Sequence, residues 1–269
     1  MSAATVSALW RYPVKSMRGE RCEDVLVGER GIAGDRRYAL VDAVTGKVAS
    51  AKNPRLWPTL LAFGARYLET PGTNGATARV EIALPDGSLR TSDDPDIHAD
   101  IGATLGRAVH LASVAPAQPM LEEYWPDLED LAHRDEVTEE AMPAATFFDC
   151  ATVHLLTTNT LNALWSRYPA GNFDVDRFRP NVLLDANGGG EFAEDAWIGK
   201  TIRLGADVIL HVTGGAPRCV MTTLGQGELP ADTGVLRTAA THHGAHVGIY
   251  AEVVHGGAIA LGDTLVLGS

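Results

Sequence analysis

Residues 216–224 read Ala-Pro-Arg-Cys-Val-Met-Thr-Thr-Leu, so Cys219 follows directly on Arg218. A strand-like run at 208–212 and a Gly214-Gly215 turn lead into this segment. A thiol on such a loop, beside a fixed positive charge, is favoured as thiolate, the form that attacks electrophiles and binds metals. A lone cysteine is equally at home as a small buried hydrophobe. Four other polar groups sit at the ends of strand-like runs: Lys15-Ser16, Asp35-Arg36-Arg37, Thr157-Thr158 and Arg179-Pro180-Asn181. An ammonium, planar guanidinium forks, hydroxyls and an amide gathered in one cleft are what a phosphate or other polyoxygenated anion requires. The alternative is local pairing, Arg36 with Asp35 and Arg179 with Asp176, which contributes little at a surface.

A second cluster is His242, His243 and His246. Imidazole suits zinc or copper. On a strand over 245–254 the histidines do not share one face, and no carboxylate or second cysteine lies at ligand spacing, so an exposed loop is the reading adopted. Cys22 and Cys150 lie in apolar runs and read as core. The chain has no G-x-S-x-G elbow, no strand-linked G-x-G-x-x-G and no G-x-x-x-x-G-K-[ST], which removes the main motif support for a serine hydrolase or nucleotide-binding enzyme.

The elements that must position these groups are mostly strands. Short runs at 6–14, 23–27, 37–41, 47–51, 60–68, 78–84 and 108–114, broken by Gly-rich turns, predict a β-barrel or sandwich, with one helix at 97–105. The segment 116–145 carries four prolines and an acidic run from Glu122 to Asp130. It reads as a linker or lid with a solvated acidic face. Beyond it a second β-dominated unit is expected, with strands at 152–157, 178–184, 201–204, 208–212, 245–254 and 264–267. Its one clear helix runs to about Tyr168 from a cap at Thr158 or Asn159. The expected division is 1–115, 116–145 and 146–269, a β-rich α+β protein of two barrel-like domains.

The formal net charge of −12 over 269 residues argues against nucleic acid as a partner, since phosphate contacts need basic surface. Basic residues clustered on an anion would therefore be a local feature set against the global field. Three scattered cysteines make no disulfide framework. No leader-like or membrane-length apolar run is present, so a cytoplasmic protein with no membrane partner is expected.

Several of these motifs occur in a recognisable order. Tyr12-Pro13-Val14-Lys15-Ser16 and Gly34-Asp35-Arg36-Arg37-Tyr38 come first, then Phe178-Arg179-Pro180-Asn181 and Asp195-Ala196-Trp197-Ile198-Gly199. Arg218-Cys219 with Thr222-Thr223, Asp232-Thr233-Gly234 and Gly262-Asp263 complete the series. The chain resembles the MOSC domain proteins with an N-terminal β-barrel domain, the group that includes the mitochondrial amidoxime-reducing component and its bacterial relatives.

The resemblance implies a molybdenum cofactor, the metal held by a molybdopterin dithiolene with Cys219 as protein ligand and catalytic residue. It implies that Lys15, Ser16 and Arg36 bind the pterin's phosphate from the first domain. Arg179, Asn181, Arg218, Thr157 and Thr158 would hold the pterin from the second, with Arg218 keeping the thiol deprotonated. The implied activity is reduction of N-hydroxylated small molecules: amidoximes, hydroxylamines and N-hydroxylated bases. Pro217 departs from the small hydroxyl residue found in relatives. No C-x₄-C-x₂-C iron–sulfur pattern is present, so electrons are expected from a separate protein. Two other readings remain open at this stage: a sulfurtransferase carrying a persulfide on Cys219, and a non-catalytic carrier of the cofactor.

Overall fold

The computed structural model describes residues 3–73, 77–127, 133–186 and 188–268. Seven strands close into a barrel. Around the ring they run Ala4–Arg11, Thr264–Leu267, Thr201–Leu204, Val208–Pro217, His246–His255, Val153–Thr157 and Val182–Asp185, and the last pairs back onto the first. Closure leaves the ring without a free edge. The sequences carry the period-two alternation this needs: Val208, Leu210 and Val212, Ile202 and Leu204, Val153 and Leu155, Val182 and Leu184 all face one core. Only Val153–Thr157 and Val182–Asp185 are parallel. Parallel neighbours require a crossover, and helix α2 (Thr158–Arg167), one of three α-helices among the described residues, begins it.

The first strand pairs with the segment that follows it only at its end, where Leu9–Arg11 meets Glu20–Cys22. Ala4–Arg11 pairs with Val182–Asp185 on one side and Thr264–Leu267 on the other, so it belongs to the C-terminal barrel. Its register shifts between Val6 and Ala8. A bulge reverses which side chains face inward. Ala4, Val6 and Leu9 therefore enter the core, while Ala8, Trp10 and Tyr12 form a separate cluster outside it. In exchange, Gly257–Ala260 leaves the barrel to pair with Asp24–Gly28. Hydrogen bonding thus crosses the boundary drawn along the chain at residue 115.

The N-terminal unit is built of small antiparallel sheets. Ala39–Asp42 pairs with Val109–Ala112, and Gly64–Tyr67, Val80–Ala83 and Leu89–Thr91 form a three-stranded sheet. They enclose Val14, Met17, Leu40, Phe63, Ile82 and Ile101. Helix α1 (Ile97–Leu105) lies where the pattern predicts, buries Ile97 and Ile101, and ends at Gly106 in the left-handed region.

Several expectations need correction. Residues 47–51 form no strand beyond a bridge from Val48 to Val41: Lys47 and Ala49 bond Asp42 and Leu40, while Val48 N turns to the Met120 carbonyl. Residues 60–68 begin with a 3₁₀ turn, Leu60–Ala62, before the strand. The segment 116–145 contains a hairpin of Met120–Trp125 and Glu136–Ala141. Its carboxylates are not all solvated: Lys47 binds Glu122 and Glu139, Lys52 binds Glu123, and Glu123 is buried. The C-terminal half holds two α-helices, not one. Helix α3 (Thr233–His243) is capped by the Asp232 carboxylate, which accepts from Gly234 N, and closes at Gly244 with φ 57°.

Candidate functional site

A cavity of about 370 Å³ lies where the two units meet. Three loops with unusual backbone converge on it. Ser16, Arg36 and Arg179 have φ of 64°, 45° and 55°, and Ala245, also in its wall, has 60°. Only six residues other than glycine adopt positive φ among those described, so four of the six line one cavity. Such conformations cost about 1–3 kcal/mol each and persist where surrounding contacts over-determine them. Here the contacts are visible. The Ser16 hydroxyl accepts from Ala51 N at 3.0 Å, Arg36 N donates to the Tyr12 carbonyl at 2.7 Å, and Arg179 donates to the Met17 carbonyl at 2.8 Å.

Cations dominate the lining. Lys15, Arg36, Lys52, Arg177, Arg179 and Arg218 face or border the cavity, against two carboxylates, Glu123 and Asp149. Lys15 pairs with Asp149 and also donates to the Phe147 carbonyl at 3.2 Å. Burial pushes the Lys15 ammonium below the usual lysine range, with Asp149 opposing. Burial would raise the Asp149 carboxyl, but Lys15 and Lys52 outweigh it and hold the group well below the usual carboxylate range. Arg36 pairs with Asp35, whose carboxylate also accepts from Tyr12 N and the Asn181 amide. The guanidiniums of Arg177, Arg179 and Arg218 instead donate to neutral oxygens. Burial, then Arg36, lowers Arg179 to about 10. A buried guanidinium facing only neutral acceptors is electrostatically unsatisfied, and an anion in the cavity would relieve it.

Cys219 enters this wall from the end of Val208–Pro217. The turn behind it, Val220–Thr223, packs Met221 against the N-terminal core, as does Leu224 just beyond it. Arg177, almost wholly buried, clamps the same turn by donating to the carbonyls of Thr222, Leu224 and Pro230 at 3.2, 3.1 and 2.6 Å. The expectation that Arg218 keeps the thiol ionised is not met. Burial pushes the Cys219 thiol up to about 11; Lys52 is the leading cation that opposes this, and Arg218 contributes less. Arg218 is occupied by the Ala216 and Phe178 carbonyls and by the Tyr250 hydroxyl at 2.8 Å.

Of the residues predicted from sequence, Lys15, Ser16, Arg36, Arg179, Asn181, Arg218 and Cys219 are brought together. Asn181 faces the cavity with its amide already engaged by Asp35 and by His154 N. Thr157 and Thr158 lie elsewhere. The Thr157 hydroxyl caps α2 and donates to the buried Glu194, and Thr158 reaches Asp185. Cys150, read as core, is exposed at the cavity, and Cys22 is only half-buried. The histidine cluster ends α3 and begins the next strand, with His243 stacked on Phe192 at 3.8 Å. Among the described residues no three His, Cys, Asp or Glu side chains converge on a metal position.

Sequence reasoning missed Lys52, Glu123, Asp149 and Tyr250, and the aromatic wall of Trp125, Phe147 and Phe148. It also missed His154, which burial and then Arg218 hold far below the usual imidazole range, so that it is neutral at pH 7. Lysine occurs only four times in the chain, but rarity does not single out Lys52, since Lys200 is exposed.

The MOSC domain matches residues 143–266, and the MOSC N-terminal beta barrel domain matches residues 3–93. The chain belongs to the MOSC domain proteins. Over 249 residues it is 27% identical to mitochondrial amidoxime reducing component 2 of Rattus norvegicus, spanning 86% of this chain and 68% of that protein. Among solved structures, the YUAD protein of Bacillus subtilis is 12% identical, with a TM-score of 0.48 over 97% of this chain and 93% of that one. YiiM of Geobacillus stearothermophilus is 18% identical, with a TM-score of 0.34 over 50% of this chain and 67% of that one. MOSC domain proteins generally bind the molybdenum cofactor. The donor set of this MOSC protein fits such a group. Among the described residues Arg177, Arg179 and Arg218 donate to neutral oxygens, the Cys219 thiol is a soft ligand, and any metal there must bring its remaining ligands with it. Among the described residues no helix is long and apolar enough to cross a membrane.

Proposed function

We propose that this MOSC protein is an oxidoreductase that uses a molybdenum cofactor to reduce N-hydroxylated small molecules, with electrons delivered by a separate protein. The observation that carries the reading is the cavity: Cys219 shares it with six cationic side chains, in a protein of net charge −12. The similarity to an amidoxime reducing component points to the same chemistry.

When bound, the cofactor supplies the two-electron reduction in which an N–OH group becomes N–H and water is released, with two protons consumed. The chain's part is to hold, orient and shield. Lys15, Arg36 and Arg179 present charge to the cofactor's phosphate end, and the left-handed backbone at Ser16, Arg36 and Arg179 aims them. The Cys219 Sγ would be the protein ligand to the metal. A thiol held protonated by burial releases its proton on metal binding, so loading is favoured as pH rises. Trp125, Phe147 and Phe148 offer an apolar wall that would exclude water and accept a flat substrate. The Tyr250 hydroxyl, hydrogen-bonded by Arg218, keeps a proton at its Oη inside the cavity, its pKa raised to about 12 by burial.

The test is elemental analysis of the purified protein and its Cys219→Ala variant, expressed in a host that makes molybdopterin, with oxidised pterin assayed by fluorescence. Near-stoichiometric molybdenum and pterin, with the metal lost in the variant, together with amidoxime reduction by artificial one-electron donors, is the expected result. Pterin and metal that pass to an apo-enzyme without turnover would leave a carrier. Labile sulfur on Cys219 with neither would overturn the reading.

A further inference from the structure

Tyr12 lies behind the cavity wall, outside its lining, and every polar or aromatic feature of it is spent on the two arginine loops. Its N–H donates to Asp35 at 2.7 Å, its carbonyl accepts from Arg36 N at 2.7 Å, and its hydroxyl donates to the Pro180 carbonyl at 3.1 Å. The guanidinium of Arg36 lies 4.5 Å from the ring centroid and that of Arg179 lies 4.2 Å from it. Arg36 belongs to the N-terminal unit and Arg179 precedes a barrel strand, so one ring serves cations from both sides of the joint. The bulge between Val6 and Ala8 is what turns Tyr12 away from the barrel core and into this place.

We propose that Tyr12 is a positioning residue that fixes Arg36 and Arg179 as one anion clamp across the joint. The inference rests on the reading of the cavity as a phosphate-bearing cofactor site. Two like-charged forks would otherwise repel each other and relax toward solvent. A ring face attracts each cation, and a guanidinium stacked on an aromatic plane keeps its edge N–H groups free to meet phosphate oxygens. The ring is thus an uncharged mount. Arg36 already pairs with the Asp35 carboxylate, and the ring holds both guanidiniums without adding a second negative charge.

The test compares Tyr12→Phe with Tyr12→Leu in the full chain. Phe keeps the ring and loses the hydroxyl bond; Leu keeps bulk and loses the π face. Two readouts are needed. In cofactor-free protein, the ¹⁵N–¹H resonances of the Arg36 and Arg179 Nε groups should be dispersed and slow to exchange in the parent and in Tyr12→Phe. In Tyr12→Leu they should lose dispersion and exchange faster, although the Arg36–Asp35 pair and the Arg179–Met17 bond remain. Titration with inorganic pyrophosphate should show affinity within about twofold of the parent for Phe and about tenfold weaker for Leu, the size expected when two partly buried cation–π interactions are removed. Pterin retained after expression should follow the same order. Dispersed arginine resonances in Tyr12→Leu, or equal losses in Phe and Leu that track their melting temperatures, would overturn the proposal. If the parent binds neither pyrophosphate nor pterin while the resonances still depend on the ring, the cofactor reading falls and the positioning role stands.

Discussion

Lys15 and Asp149 form an ion pair in the cavity wall across 134 positions of sequence, with Lys52 3.7 Å from the other carboxylate oxygen. Asp149 thereby engages, on the protein's behalf, ammonium groups that an incoming phosphate would also seek. The pair joins the loop after the first strand to the segment that leads into the barrel. It contributes to the joint between units as well as to the site.

Asp149→Asn should destabilise the protein at pH 7 by about 2 kcal/mol. The figure is discounted from a fully buried pair because the carboxylate side chain is 32% exposed. The sign with pH follows from a carboxyl whose pKa is lowered on folding. Its contribution is complete above the unfolded value of about 4 and is lost as pH falls further. Urea titrations should therefore show the gap between parent and variant closing below about pH 4, and a gap that widens there would contradict the assignment.

In cofactor-free protein, Cys219 should react with iodoacetamide at pH 8 on the order of a hundredfold more slowly than an ordinary thiol, as its pKa of about 11 requires. Lys52→Met removes the leading cation opposing that shift and should slow the reaction further. Peptide-resolved mass spectrometry reads both, with exposed Cys150 labelled first as an internal reference.

Arg177→Gln should lower stability by on the order of 3 kcal/mol, because the carbonyls of Thr222, Leu224 and Pro230 lose a charged donor in a buried place. The loosened turn carries Cys219, so metal content should drop more than pterin content. Thermal melts together with metal-to-pterin ratios separate the two effects.

Thr157→Ala should cost about 1 kcal/mol through loss of the α2 cap. The loss of the Glu194 contact adds to this. Pterin content per folded molecule should be unchanged. A selective loss of pterin without loss of stability would return Thr157 to the cofactor site.

The two-part β-rich architecture and most of the site were legible because their signals are local. Period-two alternation marks Val208–Pro217, and Ile97–Leu105 carries helical spacing closed by Gly106. Lys15, Arg36, Arg179 and Cys219 each stand at the end of an extended run, so their convergence needed only a fold that brings strand ends together. Helix α3 was hidden because Thr and His make up much of it, and its buried residues, Val235, Leu236, Thr238 and Ala239, include only a short apolar stripe. Thr157 was misassigned because a hydroxyl at a strand end serves a helix cap as readily as a ligand. Asp149, Lys52 and Glu123 were missed for a different reason. Each gains its meaning only from partners far along the chain, and a lone charged residue beside a loop looks like any solvated one.

The exchange of Ala4–Arg11 into the C-terminal barrel sets an order of events during synthesis. This strand is made before either of its barrel neighbours, Val182–Asp185 and Thr264–Leu267, which lie some 180 and 260 residues further along the chain. Until then its inward side chains Ala4, Val6 and Leu9 have no barrel to enter, and the ring stands open on the side it will fill. Closure is therefore a late event of high contact order, which slows folding and lengthens exposure to mispairing. The same step draws Tyr12 against Pro180, so the contact that links the two arginine loops also waits for residues made much later.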